Sequence, residues 1–146
     1  MKFTVALEKS ISGIEVRENV SMRDYSTFRA GGNAKFFVEP KDSNELVHII
    51  AAAKKSETPY YVIGNGSNIL VSDNGFDGVI VRIGKNYSNI SVLSKDDESI
   101  LVEADAGALL SVFGNFVSKE GYEGAEFCCG IPGNIGGAVY MNAGAY

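Results

Sequence analysis

Two glycine-rich segments constrain this chain more than any other feature: Gly64-Asn65-Gly66-Ser67-Asn68 and Gly130-Ile131-Pro132-Gly133-Asn134-Ile135-Gly136-Gly137-Ala138. Glycine reaches backbone conformations that other residues avoid and leaves main-chain N–H groups uncovered. Such segments are therefore built as sharp turns or as cradles for a ligand. They do not reflect a general bias: thirteen of the 17 glycines fall between Gly31 and Gly78 or between Gly121 and Gly144. The first segment lacks the third glycine of a dinucleotide fingerprint and the lysine of a P-loop, so it is neither of those. A tight turn and a phosphate cradle both stay open for it. In the second segment Pro132 stiffens the loop, and Asn134 is placed to cap a short helical turn from Ile135, whose free N–H groups would favour an anion. Asn142-Ala143-Gly144-Ala145-Tyr146 adds small residues and one more amide. Two such loops in so short a chain point to one ligand large enough to touch both.

Charge sharpens this. There is no Lys or Arg from Ser56 to Val81, and none from Gly121 to Tyr146. A phosphate held there is held by neutral donors, which suits the buried pyrophosphate of a tightly bound cofactor better than an exchanging nucleotide. The net charge of −5 comes without a basic stripe, which argues against a nucleic-acid partner. No apolar run approaches the roughly 18 residues needed to span a bilayer, so no membrane insertion is expected. The N-terminus has too short an apolar stretch for a signal peptide. Cys128 and Cys129 are adjacent, without a CxxC or metal-ligand partner, and read as small buried core residues. These features together predict a cytoplasmic protein. His48, the one histidine, points off the apolar stripe of its helix and reads as an exposed, idle side chain. No metal site is expected.

Along the chain, residues 1–33 form an N-terminal extension in which Ile11, Ile14 and Val16 could begin a helix or a strand. Residues 34–39, closed by Pro40, predict a strand. A helix follows, capped by Asp42 or Ser43, with Glu45 in its first turn and Leu46, Ile49, Ile50 and Ala53 as its stripe. Tyr60–Ile63 predicts a short buried strand. Asp73-Asn74-Gly75 and Asp77-Gly78 predict turns, and 79–83 another strand, completing a βαβ-type unit. Residues 90–93 and 99–104 predict an antiparallel hairpin. Leu109, Leu110, Val112, Phe113, Phe116 and Val117 give helical periodicity ended near Gly121. Residues 122–146 read as loops and short turns. The class is α+β, with two α+β subdomains meeting near 84–89.

Four segments then stand in a recognisable order: Tyr25-Ser26-Thr27-Phe28-Arg29-Ala30-Gly31-Gly32, Gly64 through Leu70, Gly124-Ala125-Glu126-Phe127, and Gly130 through Tyr146. The chain resembles the family of UDP-N-acetylenolpyruvoylglucosamine reductases (MurB), flavoproteins with a PCMH-type, vanillyl-alcohol-oxidase-like FAD domain. The resemblance implies that residues 34–146 form the FAD-binding domain. Gly64, Asn65, Gly66, Ser67, Asn68 and Ile69 would lie at the pyrophosphate. Gly130, Ile131, Pro132, Gly133, Asn134, Gly136, Gly137, Asn142 and Gly144 would line the flavin and ribityl side. It implies FAD as cofactor, NADPH as hydride donor and UDP-N-acetylglucosamine enolpyruvate as substrate, reduced to UDP-N-acetylmuramate for peptidoglycan. Neither loop holds a histidine, so the flavin is expected to be non-covalent. The family's catalytic arginine, serine acid and glutamate lie downstream in a substrate-binding domain and match nothing among these residues, so no catalytic residue is assigned. The 146 residues by themselves are expected not to turn over substrate. Arg29 and Arg82 read as surface or structural residues. Another flavin oxidoreductase of the superfamily, or a nucleotide- or phosphate-binding module without redox chemistry, are the competing readings.

Overall fold

Phe36-Phe37-Val38 and Val79-Ile80-Val81 are uninterrupted apolar runs, the pattern of strands covered on both faces. A computed structural model describes residues 2–144; Ala145 and Tyr146, which end the closing motif, lie outside the described residues. The chain divides into two units, Met1–Asn86 and Tyr87–Tyr146. In the first, β1 (Val16–Ser21), β2 (Asn33–Val38), β3 (Tyr60–Ile63) and β4 (Phe76–Arg82) form one sheet in the order β1-β2-β4-β3. β1 is antiparallel to β2, whereas β2 and β3 both run parallel to β4, which lies between them. The two apolar runs thus occupy the central pair.

A register shift between Ala34 and Phe36 rotates β2 locally, so that Phe36 and Val38 face one way and Ala34 and Phe37 the other. On the first face Phe36, Val38, Val79 and Val81 pack with Ile49, Ala52 and Ala53 of α2 (Ser43–Lys55) and with Phe3, Ala6 and Leu7 of α1 (Phe3–Glu8). On the second, Phe37 and Ile80 join Met22, Ala34 and Ile63, with Tyr25, Ile69 and Val71 leaning on the cluster. Each fully buried Phe, Ile or Val contributes about 1.5–3 kcal/mol before ordering costs. α2 starts as the sequence predicts: Asp42 Oδ1 accepts the Glu45 amide at 2.8 Å, and Glu45 Oε2 accepts the Lys41 amide at 2.8 Å. Lys54 and Lys55 occupy its last turn, where cations favour the helix dipole.

Several expectations need correction. The short α1 helix was not foreseen, while Val16 takes the strand alternative of the two left open for it. Among the described residues β3 is an edge strand paired only with β4, so Tyr60, Tyr61 and Val62 are exposed and only Ile63 is buried. Asp77 and Gly78 lie inside β4 rather than in a turn. Lys35 Nζ meets Asp77 Oδ1 at 2.6 Å across the β2–β4 pair, and a Cβ on Gly78 would stand 2.3 Å from Pro59 O. His48 is half-buried rather than exposed.

The second unit contains β5 (Ile90–Lys95) and β6 (Ile100–Ala104), antiparallel, then α3 (Leu110–Lys119), a 3-10 turn over Glu126–Gly130 and α4 (Ile135–Met141). Asp96 closes the hairpin by accepting the amides of Glu98 at 2.9 Å and Ser99 at 2.8 Å. Those bonds hold its carboxyl below the usual aspartate range. Leu110, Gly114 and Val117 are the buried side of α3. Residues 122–144 carry more helix than expected, because α4 runs seven residues before Asn142 stops it in the left-handed region at φ 49°. Cys128 is buried as expected, but Cys129 is exposed. Among the described residues no helix is long and apolar enough to cross a membrane, and no group of three or more His, Cys, Asp or Glu could hold a metal.

Candidate functional site

The first glycine segment leaves the carboxyl end of β3, directly after buried Ile63. Gly66 takes φ +67°, and a Cβ built on it would stand 1.9 Å from the Tyr25 carbonyl oxygen and 2.9 Å from its carbon. From sequence, a tight turn and a phosphate cradle were both open for this glycine. In the structure its missing side chain is demanded by the chain itself. Tyr25-Ser26-Thr27 lies against the segment and is tied to it throughout. The Thr27 amide donates to Gly66 O at 3.1 Å. Ser26 Oγ donates to Ile69 O at 2.9 Å and accepts the Phe28 amide at 3.2 Å. Thr27 Oγ1 stands 3.4 Å from Ser67 O. Ser26 is only 6% exposed, so its hydroxyl is committed to this tie.

This buttress is what sequence reasoning missed. Tyr25 through Gly32 stood among the motifs that carry the family resemblance, but nothing local marked Ser26 and Thr27 as partners of a loop some forty residues on. The result is a segment whose shape is set from behind. Gly66 is buried, Gly64, Ser67 and Ile69 are half-buried, and Asn65 and Asn68 are exposed. Arg82, read as a surface or structural residue, pairs with Glu39 at 3.0 Å.

The second segment is clamped differently. The Leu110 amide donates to Gly133 O at 3.0 Å, and Leu109 and Asn134 form an antiparallel bridge. The amides of Ile135 and Gly136, the first two of α4, donate to Ala108 O at 2.9 Å and Ala106 O at 2.8 Å. Two of the N–H groups expected to be free at this helix start are therefore already engaged. Nor does Asn134 cap α4 with its side chain. It is buried to 7% exposure, its Nδ2 donates to Gly107 O, and its Oδ1 has no hydrogen-bond partner among the described residues. Close packing explains one glycine here: a Cβ on Gly136 would stand 2.8 Å from Ala106 Cβ. Gly130 and Gly137 differ, because among the described residues nothing lies within 4 Å of where their Cβ atoms would be.

Ile131 and Gly133 are half-buried, and Gly130, Pro132, Gly137, Asn142 and Gly144 are exposed. Next to them Val139, Tyr140 and Met141 show 77%, 80% and 52% of their surface. This is an apolar strip bordered by backbone without side chains. Burial, and then the neighbouring Cys129, push the Cys128 thiol up from the usual cysteine value. Two open depressions in the first unit, one lined by Ser21, Arg23, Asp24, Ser26 and Arg29 and the other around Glu18, Lys35 and Asp77, include neither segment.

Comparison with known proteins gives these segments a context. The family described as FAD binding domain matches residues 34–146. The UDP-N-acetylenolpyruvoylglucosamine reductase of Caldicellulosiruptor saccharolyticus is 43% identical over 146 residues, covering 100% of this chain and 44% of the relative. The protein of the same name from Petrotoga mobilis is 37% identical over 134 residues, 92% of this chain and 44% of the relative. Among solved structures, UDP-N-acetylenolpyruvylglucosamine reductase (MurB) from Thermus caldophilus superposes with a TM-score of 0.65 at 32% identity, covering 91% of this chain and 43% of that one. The chain thus spans less than half the length of the relatives it matches. The expected α+β class agrees with this likeness.

Proposed function

This chain belongs to the FAD-binding domain family, and we propose that it holds the cofactor of a UDP-N-acetylenolpyruvoylglucosamine reductase. The family match runs through both glycine segments, and that observation carries the reading. Asn65, Gly66, Ser67 and Asn68, between Gly64 and Ile69, hold the FAD pyrophosphate. They do so with main-chain and amide donors on a turn whose shape Tyr25–Thr27 fixes in advance, so little ordering is left for the moment of binding. Gly130, Ile131, Pro132, Gly133, Asn134, Gly136 and Gly137, with Asn142 and Gly144, line the flavin and ribityl side. With the amides of Ile135 and Gly136 engaged, this segment offers surface more than donors at the start of α4. Open space at Gly130 and Gly137 beside exposed Val139 and Tyr140 fits a flat, apolar ring better than a phosphate.

When bound, the flavin would supply hydride transfer from NADPH to the enolpyruvyl double bond of UDP-N-acetylglucosamine enolpyruvate, which with a proton added to the adjacent carbon gives UDP-N-acetylmuramate for peptidoglycan. The chain's own contribution is to bind, orient and keep water from the cofactor. It supplies neutral donors for the pyrophosphate and no acid for the substrate. Attachment is non-covalent, and the work is cytoplasmic, where the soluble sugar nucleotide is found.

The test is the visible spectrum of the purified 146-residue chain, followed by titration with FAD. Flavin absorbance that is released on denaturation, or saturable quenching of added FAD, supports the reading. A colourless chain that also refuses FAD overturns it. In the whole protein, NADPH oxidation that depends on the enolpyruvyl sugar nucleotide separates this reading from another flavin oxidoreductase of the superfamily.

A further inference from the structure

We propose that Glu39 is a positioning residue for the segment Gly64–Ile69: by bridging Arg17 and Arg82 it fixes Tyr25, whose main chain sets the left-handed turn at Gly66. The inference rests on the reading of that segment as the pyrophosphate holder. Glu39 Oε2 accepts from Arg17 Nη2 at 2.7 Å, and Oε1 accepts from Arg82 Nη1 at 3.0 Å. Arg17 Nη1 donates to Tyr25 Oη at 2.8 Å. Both guanidinium groups stand over the Tyr25 ring, at 5.6 Å and 5.2 Å from its centroid, and the ring lies 4.3 Å from that of Phe37.

The three charged residues come from neighbouring strands. Arg17 lies on β1, Glu39 follows β2, and Arg82 ends β4, opposite Ile63 at the end of β3. The cluster therefore sits at the carboxyl ends of the parallel strands, the end from which ligand loops spring in sheets of this kind. Its side chains are 30–36% exposed, so each pair adds little to stability. Its contribution is orientation, because planar guanidinium forks hold a carboxylate and a ring at fixed angles. Without the carboxylate, two cations face one ring and repel. Tyr25 carries the constraint onward: its carbonyl oxygen occupies the space a Gly66 side chain would need, and the next two residues bond the segment directly.

The experiment compares Glu39→Gln and Tyr25→Phe with the unaltered chain by hydrogen exchange, reading the Thr27 amide that bonds Gly66 O. Both variants are expected to exchange roughly five- to tenfold faster at Thr27, with β2 and β4 unchanged, in keeping with the loss of partly exposed pairs. Tyr25→Phe leaves the ion pairs in place and guards against a Glu39→Gln chain that fails to fold. Lys35→Gln, which breaks a different ion pair of the same sheet, is expected to leave Thr27 unchanged. In titrations of Glu39→Gln, FAD and ADP are expected to bind several-fold more weakly, while riboflavin, which lacks the pyrophosphate, binds unaltered. Unchanged exchange at Thr27 in Tyr25→Phe, or acceleration spread evenly through the sheet, overturns the proposal. If the unaltered chain binds neither FAD nor ADP, the cofactor reading fails, while the exchange data still decide whether Glu39 positions the segment.

Discussion

Gly66→Ala tests how far the candidate site depends on one missing methyl group. Alanine at φ +67° pays the left-handed penalty of about 1–2 kcal/mol. Its Cβ would also stand 1.9 Å from Tyr25 O, whereas real Cβ atoms keep beyond 3.0 Å, so backbone must shift by about 1 Å. That shift breaks the Thr27–Gly66 bond of 3.1 Å and the Ser26–Ile69 bond of 2.9 Å, each worth about 0.5–1.5 kcal/mol. The sum is about 2–5 kcal/mol, a large part of the roughly 5–15 kcal/mol that holds a typical domain. Gly13→Ala isolates the first contribution, because Gly13 has φ +83° and nothing within 4 Å of its Cβ position. Urea unfolding of both variants should show Gly66→Ala the less stable by about 1–3 kcal/mol at an unchanged m-value. Equal losses in the two would refute the claim that Tyr25 dictates the glycine.

Gly137→Ala fills open space on the second segment. Its stability should hold or rise by up to about 1 kcal/mol from helix propensity, while FAD binds about tenfold more weakly by titration, a cost near 1.4 kcal/mol. Asp96 has its carboxyl held below the usual range by the Glu98 and Ser99 amides. Its contribution to the hairpin is therefore complete above the ordinary aspartate value of about 3.9 and is lost as pH falls through the lowered one. Asp96→Asn should flatten that part of the acid-unfolding profile. Cys128 is buried with its thiol pushed up, and Cys129 is exposed, so one equivalent of a thiol reagent should label Cys129 and leave Cys128 at least about tenfold slower until the chain unfolds.

Elements whose signals are local were legible from sequence. Asp42, Glu45 and the Leu46-Ile49-Ile50-Ala53 stripe specify α2 within a single stretch, and the 90–104 hairpin carries its turn between its strands. Errors fell where a distant partner decides. Tyr60-Tyr61-Val62 has the composition of a buried strand, but burial depends on sheet order, and β3 has a neighbour on one side alone. Asp77-Gly78 has the composition of a turn, yet Pro59 O and Lys35 recruit it into β4. Of the candidate site, both glycine segments were visible, and the closeness of glycine to other backbone was not. Ser26, Thr27, Ala106 and Ala108 act on these segments across intervals that no periodicity records.

The strand order has a consequence for how the first unit can be made. β3 hydrogen-bonds only to β4, and β4 is also the strand that joins it to β2. A nascent chain emerging from the ribosome can pair β1 with β2 and wind α2, but Tyr60–Ile63 stays without a partner until Phe76–Arg82 has been synthesised. Such non-local pairing is the slow part of folding. The segment after Ile63 consequently gains its anchor only after the stretch that follows it in sequence has arrived. The shape of the Gly64–Ile69 segment is thereby set only once β4 has been made.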